Sequence, residues 1–219
     1  AYELFVTNGN SPVTAQIPKS VPARDKYYVK VSGINPQVEG SFSPVSIKVR
    51  PLPTATIQGE KSIIEGDESE IKVSFTGESP WTFKVSDGQQ LSTTNNPVSI
   101  KVKPQSTSNF VLETVSNVCG EGDVSGNAII KVYPESAIED LVNVYPITSN
   151  SNITVSIDEA LSKYPVTLTL FDTGGKVIRS AIVDLNTPLN RNFFDVSYGM
   201  YILKIQTYKK TFSRKVVKY

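Results

Sequence analysis

The sequence predicts an all-β protein built as tandem antiparallel β-sandwiches. Short segments alternate apolar and polar residues with a period of about two, so one face packs and the other stays wet. Clusters of Pro, Gly, Asn, Ser and Asp bound these segments about every 8–12 residues, as turns do in sandwiches. The alternating residues are rich in Val, Ile, Tyr, Phe and Thr, which suit a pleated, half-buried surface. Only residues 157–163 (IDEALSK) hint at a helical turn, and that stretch is too short to change the class.

In chain order the first predicted strands are 27–31 (YYVKV), 45–49 (VSIKV), 71–75 (IKVSF), 81–85 (WTFKV), 98–102 (VSIKV), 110–115 (FVLETV) and 128–132 (AIIKV). Five more follow at 153–157 (ITVSI), 166–171 (VTLTLF), 176–182 (KVIRSAI), 200–207 (MYILKIQT) and 211–217 (TFSRKVV). Residues 43–51 read SPVSIKVRP and residues 96–104 read NPVSIKVKP, which fits either a duplicated module or a shared strand solution. Pro51-Leu52-Pro53 cannot continue a ladder and reads as a short, semi-rigid linker. A second boundary follows Val132-Tyr133-Pro134, where 135–143 (ESAIEDLVN) is acidic and lacks alternation. The expected division is therefore 1–51, 52–134, a linker at 135–143, and 144–219. The first part has about four strands. It is either the C-terminal part of a sandwich whose earlier strands are missing or a piece that packs on its neighbour. Open edges favour the missing partner.

Composition excludes several functions. The 219 residues carry 22 Lys+Arg against 21 Asp+Glu, a net charge of +1, which argues against a nucleic-acid binder. With no histidine, Ser-His-Asp and Cys-His catalysis, His metal sites and a His general base are all ruled out within the chain. A single cysteine, Cys119, excludes an internal disulfide and a Cys-rich zinc site. No apolar run reaches the roughly 18 residues of a membrane helix. The chain begins at Ala1 rather than Met, within what reads as a strand, and is expected to be processed or partial. Charge is uneven. Residues 141–219 hold ten bases and five acids, and the last sixteen residues hold six bases and no acid. This basic strip reads either as the solvated face of a final hairpin or as a docking strip for an acidic or lipid-associated partner.

The last 75 or so residues carry an ordered set of motifs: Val144-Tyr145-Pro146; Asp172 with Gly175-Lys176; Asp195-Val196-Ser197; Gly199-Met200-Tyr201; and Lys215-Val216-Val217-Lys218. In that order and spacing they resemble the C-terminal sorting domain (type A) of proteins exported by the Bacteroidetes type IX secretion system. One departure is that Pro146 is followed by Ile147-Thr148 where the family usually has Asn-Pro. Each piece also has a local reason. Gly174-Gly175 permits positive φ in a tight turn. Gly199 precedes a strand, where a missing Cβ lets a neighbouring backbone approach. Tyr201, Leu203 and Ile205 share one strand face, as do Phe212, Arg214 and Val216.

Residues of the middle part resemble the Ig-like modules of Bacteroidetes surface proteins. The marks are 65–69 (EGDES), 75–77 (FTG), 79–83 (SPWTF), 86–88 (SDG) and 118–122 (VCGEG). Trp81 is expected as the core anchor between sheets, with a binding-surface Trp as the alternative. In that family a cysteine often precedes the Glu-Gly pair and would pair with the later one. Ile64 stands there instead, so Cys119 is expected to be an unpaired, mostly buried thiol next to Ile64. The carboxylates Glu65, Asp67, Glu68 and Glu70 read as a solvated loop, with calcium binding there or at Glu121 and Asp123 as the alternative. Asn152-Ile153-Thr154 matches a glycosylation triplet, a pattern common by chance.

The resemblance implies a non-catalytic tail of a secreted or cell-surface protein, exported across the outer membrane from the periplasm. It implies partners in the outer-membrane export machinery, including a β-barrel shuttle protein and a sortase-like peptidase. It further implies transfer of the upstream part to a surface lipopolysaccharide. The residues it marks for the machinery are Gly175, Lys176, Gly199, Tyr201, Lys215, Val216, Val217 and Lys218. The cut is expected among Glu135, Ser136, Ala137, Ile138, Glu139 and Asp140. No catalytic residue, metal or cofactor is expected in this chain, although a missing upstream region could be catalytic. A second reading makes the first two parts adhesin or carbohydrate-binding modules, with Tyr27, Tyr28 and Trp81 as the aromatic platform.

Overall fold

The computed structural model describes residues 17–18, 20–149, 153–183 and 191–219. The strand expected at Ala1 and the residue Asn152 lie outside the described residues. The strands are β1 (Arg24–Tyr27), β2 (Lys30–Ile34), β3 (Gln37–Phe42), β4 (Ile47–Val49), β5 (Thr54–Ile64), β6 (Ser69–Thr76), β7 (Trp81–Val85), β8 (Gln90–Thr93), β9 (Val98–Val102) and β10 (Ser108–Phe110). They continue with β11 (Leu112–Asn117), β12 (Gly120–Tyr133), β13 (Val142–Tyr145), β14 (Thr148–Ser149), β15 (Thr154–Ile157), β16 (Val166–Asp172), β17 (Val177–Val183), β18 (Gly199–Gln206) and β19 (Thr211–Lys218). Three 3-10 turns, Glu135–Glu139, Glu159–Leu161 and Arg191–Phe194, are the helical content among the described residues. The protein is all-β, as the alternation predicts. No helix among the described residues is long and apolar enough to cross a membrane.

Two compact units divide the chain. The first comprises Ala1–Thr56, Ser74–Asn96 and Leu112–Ser125, and the second Ile57–Val73, Pro97–Val111 and Gly126–Tyr219. The units cut across the middle segment because β5, β6 and β12 each contribute residues to both.

In the first unit β1 pairs with β4, and β2 forms a hairpin with β3 whose side chains are all exposed. The predicted strand 27–31 is broken at Tyr28-Val29, where the Val29 backbone turns to exchange hydrogen bonds with Ser43 (2.7 and 3.1 Å). A second sheet runs β8-β7-β11-β12. Trp81 is its anchor. Its ring stacks on Phe75 with centroids 5.0 Å apart, and Nε1 donates to the Thr76 carbonyl at 2.9 Å. In the stretch read as a linker, Pro51 and Leu52 are exposed and Pro53 is buried. A Cβ on Gly122 would fall 1.7 Å from the Pro53 carbonyl oxygen, so that strand approach tolerates only glycine.

In the second unit the order is β12-β5-β6-β9, with β10 also on β12. β6 buries every second residue, Ser69, Ile71, Val73 and Phe75, and β9 lies opposite it with Ile71 facing Ile100. β5 is harder to read in the sequence because residues 58–61 are all exposed and Ile63 and Ile64 are both buried, so its buried residues follow no single alternating row. The terminal part has a two-stranded sheet, β13-β15, and a five-stranded one, β14-β19-β18-β16-β17. Their shared core holds Leu168, Leu170, Leu203, Ile205, Phe212, Val216, Phe193 and Phe194, together with Ile138, Leu141 and Ile64.

Replacing Trp81 with Ala removes a buried ring and its stack, and is expected to cost about 3–5 kcal/mol of stability. Urea unfolding of the full chain checks this, with a loss below about 1 kcal/mol contradicting the anchor role.

Candidate functional site

The motif residues converge at one end of the five-stranded sheet. Asp172 organises the turn after β16: its Oδ1 accepts from the backbone N–H groups of Gly174 and Lys176, both at 2.9 Å. Gly175 takes φ +83°, the left-handed conformation that glycine adopts without strain. Across the sheet Asp172 faces Tyr201, Tyr201 faces Val216, and Gly199 faces Lys218. β14 then pairs in parallel with the last strand, Thr148 to Val217 and Ser149 to Lys218. Register thus gathers Gly175, Lys176, Gly199, Tyr201, Lys215, Val216, Val217 and Lys218 at one end.

They do not share one face. Tyr201 and Val216 are buried inward, and the Tyr201 hydroxyl donates to the Ser197 carbonyl at 2.8 Å. Lys215 and Val217 lie on the outer face beside Ile202 and Met200, which are 36% and 44% exposed. Val177, on edge strand β17 beyond β16, is 53% exposed and lies in register with Ile202 through Phe171, so this outer end is apolar with a lysine in it. Gly199 differs from its expected role. A Cβ there would meet only the ring of Tyr201, at an ordinary 3.7 Å, and no backbone comes close.

The opposite end is the β18–β19 turn. Thr207 shapes it, its Oγ1 donating to the Lys210 carbonyl and accepting from the Lys210 N–H, each at 2.9 Å. This presents Tyr208 and Lys209 to the turn after β5. The Tyr208 hydroxyl donates to Asp67 Oδ2, and Lys209 Nζ donates to the Glu65 carbonyl at 2.5 Å. Lys209 also pairs with Glu135 at 3.0 Å, and the Tyr208 ring packs on Tyr164 with centroids 4.4 Å apart. Burial pushes the Tyr208 hydroxyl well above its usual range, and acceptance by Asp67 pushes the same way. Asp67, read from the sequence as part of a solvated loop, is half-buried and engaged.

The segment expected as a linker is ordered. Residues Glu135–Glu139 form a 3-10 turn in which Asp140 N–H donates to the Ala137 carbonyl at 2.9 Å. Ile138 is fully buried in the terminal core, and Val142 pairs with Ile157. Glu135 and Ser136 are exposed, and so is Asp140. Glu139 is clamped by the last hairpin. Lys210 Nζ meets Oε1 at 2.9 Å, Arg214 Nη1 meets Oε2 at 3.1 Å, and Arg214 Nη2 donates to the Glu139 carbonyl at 3.1 Å. Lys210, then Arg214, holds the Glu139 carboxyl below the usual carboxylate range. Sequence reasoning missed this clamp. The only available signal was the excess of bases after residue 204 beside the acids of 135–140.

Other candidates fare differently. Trp81 is buried, so it offers no platform. Tyr28 is 52% exposed, and the Tyr27 hydroxyl donates to the Pro22 carbonyl at 2.9 Å. Cys119 is an unpaired thiol but half-buried rather than mostly buried. It sits in the β11–β12 turn where Asn117 Oδ1 accepts from its N–H, and Ile64 belongs to the terminal core. A cleft of about 400 Å³ carries both signs on its wall, including Lys61, Lys101, Lys163, Glu68, Glu70 and Glu159, and no aromatic ring lines it. Among the described residues no three His, Cys, Asp or Glu side chains are grouped to hold a metal.

Residues 143–219 match the family described as secretion system C-terminal sorting domain. No curated protein matches the chain. Among solved structures, a titin–obscurin-like 1 Ig complex is 19% identical over 38% of this chain and 95% of that chain, with a TM-score of 0.29. A chimeric titin tandem carrying a decorin peptide is 12% identical over 78% and 97%, with a TM-score of 0.37. A titin I-band fragment is 12% identical over 76% of this chain and 65% of that one, with a TM-score of 0.35.

Two outcomes follow from the tip and the clamp. Tyr208→Phe leaves Asp67 without its hydroxyl donor and is expected to cost about 1–2 kcal/mol in denaturant unfolding. For Glu139 the folded form binds protons less readily than the unfolded form, whose value is near the ordinary 4.5. Its contribution is therefore complete above about that pH and is lost as pH falls through the lowered value. Stability measured from about pH 6 down to pH 3 should fall less steeply in Glu139→Gln than in the native chain. Identical slopes would contradict the clamp.

Proposed function

From the terminal sorting domain at residues 143–219, which marks the chain for type IX export to the cell surface or secretion, we propose that this chain is the non-catalytic tail of an exported protein. Residues 144–219 are the address, recognised by the outer-membrane machinery. Residues 1–51 and 52–134 are β-sandwich spacers that hold an upstream effector away from the membrane. A sortase-like peptidase cuts within 135–143, at Glu135, Ser136, Ala137, Ile138, Glu139 or Asp140, and the upstream part passes to a surface lipopolysaccharide. A β-barrel shuttle protein carries the address.

One observation supports this reading best: the register that gathers the motif residues at one sheet end. Exposed Lys215 and Lys176 and half-buried Val217 are the contact residues of that end. Gly175 and Gly199 shape it, and Tyr201 and Val216 hold it from the core side. Lys218 pairs in the last strand beside them. The partner surface is the outer corner of Met200, Ile202 and Val177, apolar and basic together.

The test fuses a neutral reporter ahead of the full chain in a host with the type IX system. The reporter should reach the surface or medium, and deleting 211–219 should trap it in the periplasm. Lys215→Glu with Val217→Glu should lower export several-fold while the purified chain stays folded. Export that is indifferent to loss of the last strand would overturn the proposal.

A further inference from the structure

We infer that the β18–β19 hairpin gates the proposed cleavage segment: residues 135–140 are closed to a peptidase while Arg214 and Lys210 hold Glu139, and open when the last strand is drawn away. This rests on the proposed cut within 135–143, and its regulation is the new element.

A peptidase must lay several residues of substrate extended in its cleft and reach one carbonyl carbon. Cleavage breaks the C–N bond there. The carbonyl carbon passes to the incoming nucleophile, water in the simplest case, and the departing nitrogen takes a proton. Residues 135–139 are coiled as a 3-10 turn rather than extended. Ile138 is fully buried in the terminal core. The Glu139 carbonyl accepts from Arg214 Nη2 at 3.1 Å, so a side chain of the last strand lies on the very group that must be reached. The Glu139 carboxylate is taken at both oxygens, by Lys210 at 2.9 Å and Arg214 at 3.1 Å. Lys209 of the same turn holds Glu135, at 3.0 Å. Both ends of the 3-10 turn are therefore tied to one hairpin. A segment in this state is cut only through local opening, and its cleavage tracks the population of the open form.

The consequence is an order of events. Drawing β19 away carries off the side chains that close the segment, so a cut follows displacement of the tail rather than preceding it. Arg214 and Lys210 are positioning residues in this scheme, not catalytic ones.

The test uses the purified full chain and a Glu-specific endopeptidase, with mass mapping of the products. The readout is the rate of cleavage after Glu139, set beside amide hydrogen exchange at Leu168, Leu170 and Leu203. Arg214→Ala should raise that rate about tenfold while exchange in the β16 and β18 core is unchanged. Arg214→Lys, which keeps the charge but loses the forked contact, should fall between. Lys210→Ala, at the turn, should raise the rate about threefold and carries the test should Arg214→Ala fail to fold. Unchanged cleavage in Lys210→Ala and the folded Arg214 variants overturns the gate. So does a rise accompanied by equal opening of Leu168 and Leu170, which would make these residues merely structural. The assay needs no secretion host. A failed gate with normal reporter export leaves the export reading standing, and a working gate with failed export sinks only that reading.

Discussion

The pairing of β18 with β19 is the constraint on which the terminal domain depends. It runs unbroken over eight steps, from Gly199 opposite Lys218 to Gln206 opposite Thr211. A slip of one residue would turn Tyr201, Leu203 and Ile205 outward and bring Ile202 and Lys204 in, so the core fixes the register. Once it is fixed, the motif end and the Tyr208–Lys210 turn must stand at opposite ends of the same two strands. One end is left with exposed Met200 and half-buried Val217, and the other reaches Asp67, Glu65 and Glu139.

Charge follows the same division. The sequence concentrates acids ahead of residue 141 and bases after it, and that asymmetry reads equally well as a solvated face or a docking strip. The structure splits the strip. Lys209, Lys210 and Arg214 meet carboxylates within the chain, while Lys204 and Lys215 lie on the outer face of the sheet. Alternation explains the split between Arg214 and Lys215, because neighbours on a strand point to opposite faces, whereas Lys209 and Lys210 stand in the turn between β18 and β19. Arg214 shares the inward row with Phe212 and Val216 and comes out at the edge, where Glu139 meets it.

Much of this was legible in the letters. β6, β7, β9, β16, β18 and β19 keep a clean period of two, and each was readable from it. β5 was not, because an exposed stretch, residues 58–61, and the adjacent buried pair Ile63 and Ile64 break its alternation. The motif residues could be named from the sequence, but their convergence could not, since Gly175 and Val217 meet only through three strand pairings. Glu139 gave no local sign. Its partners lie 75 residues away in the case of Arg214, and nothing in ESAIEDLVN distinguishes a bound turn from a free one.

The repeated VSIKV shows where the two sources part. At 45–49 and at 98–102 the letters are identical, and the sequence alone determined that both are strand formers, by alternation and β-branching. In the fold Ile100 and Val102 are each 4% exposed and face β6, whereas Ile47 is 37% exposed on a two-stranded ribbon with β1. Local preference sets the backbone, because it acts through each residue's own torsions. Burial, partners and the closing of the 135–143 turn belong to the tertiary structure, because they require surfaces supplied by residues far away in the chain.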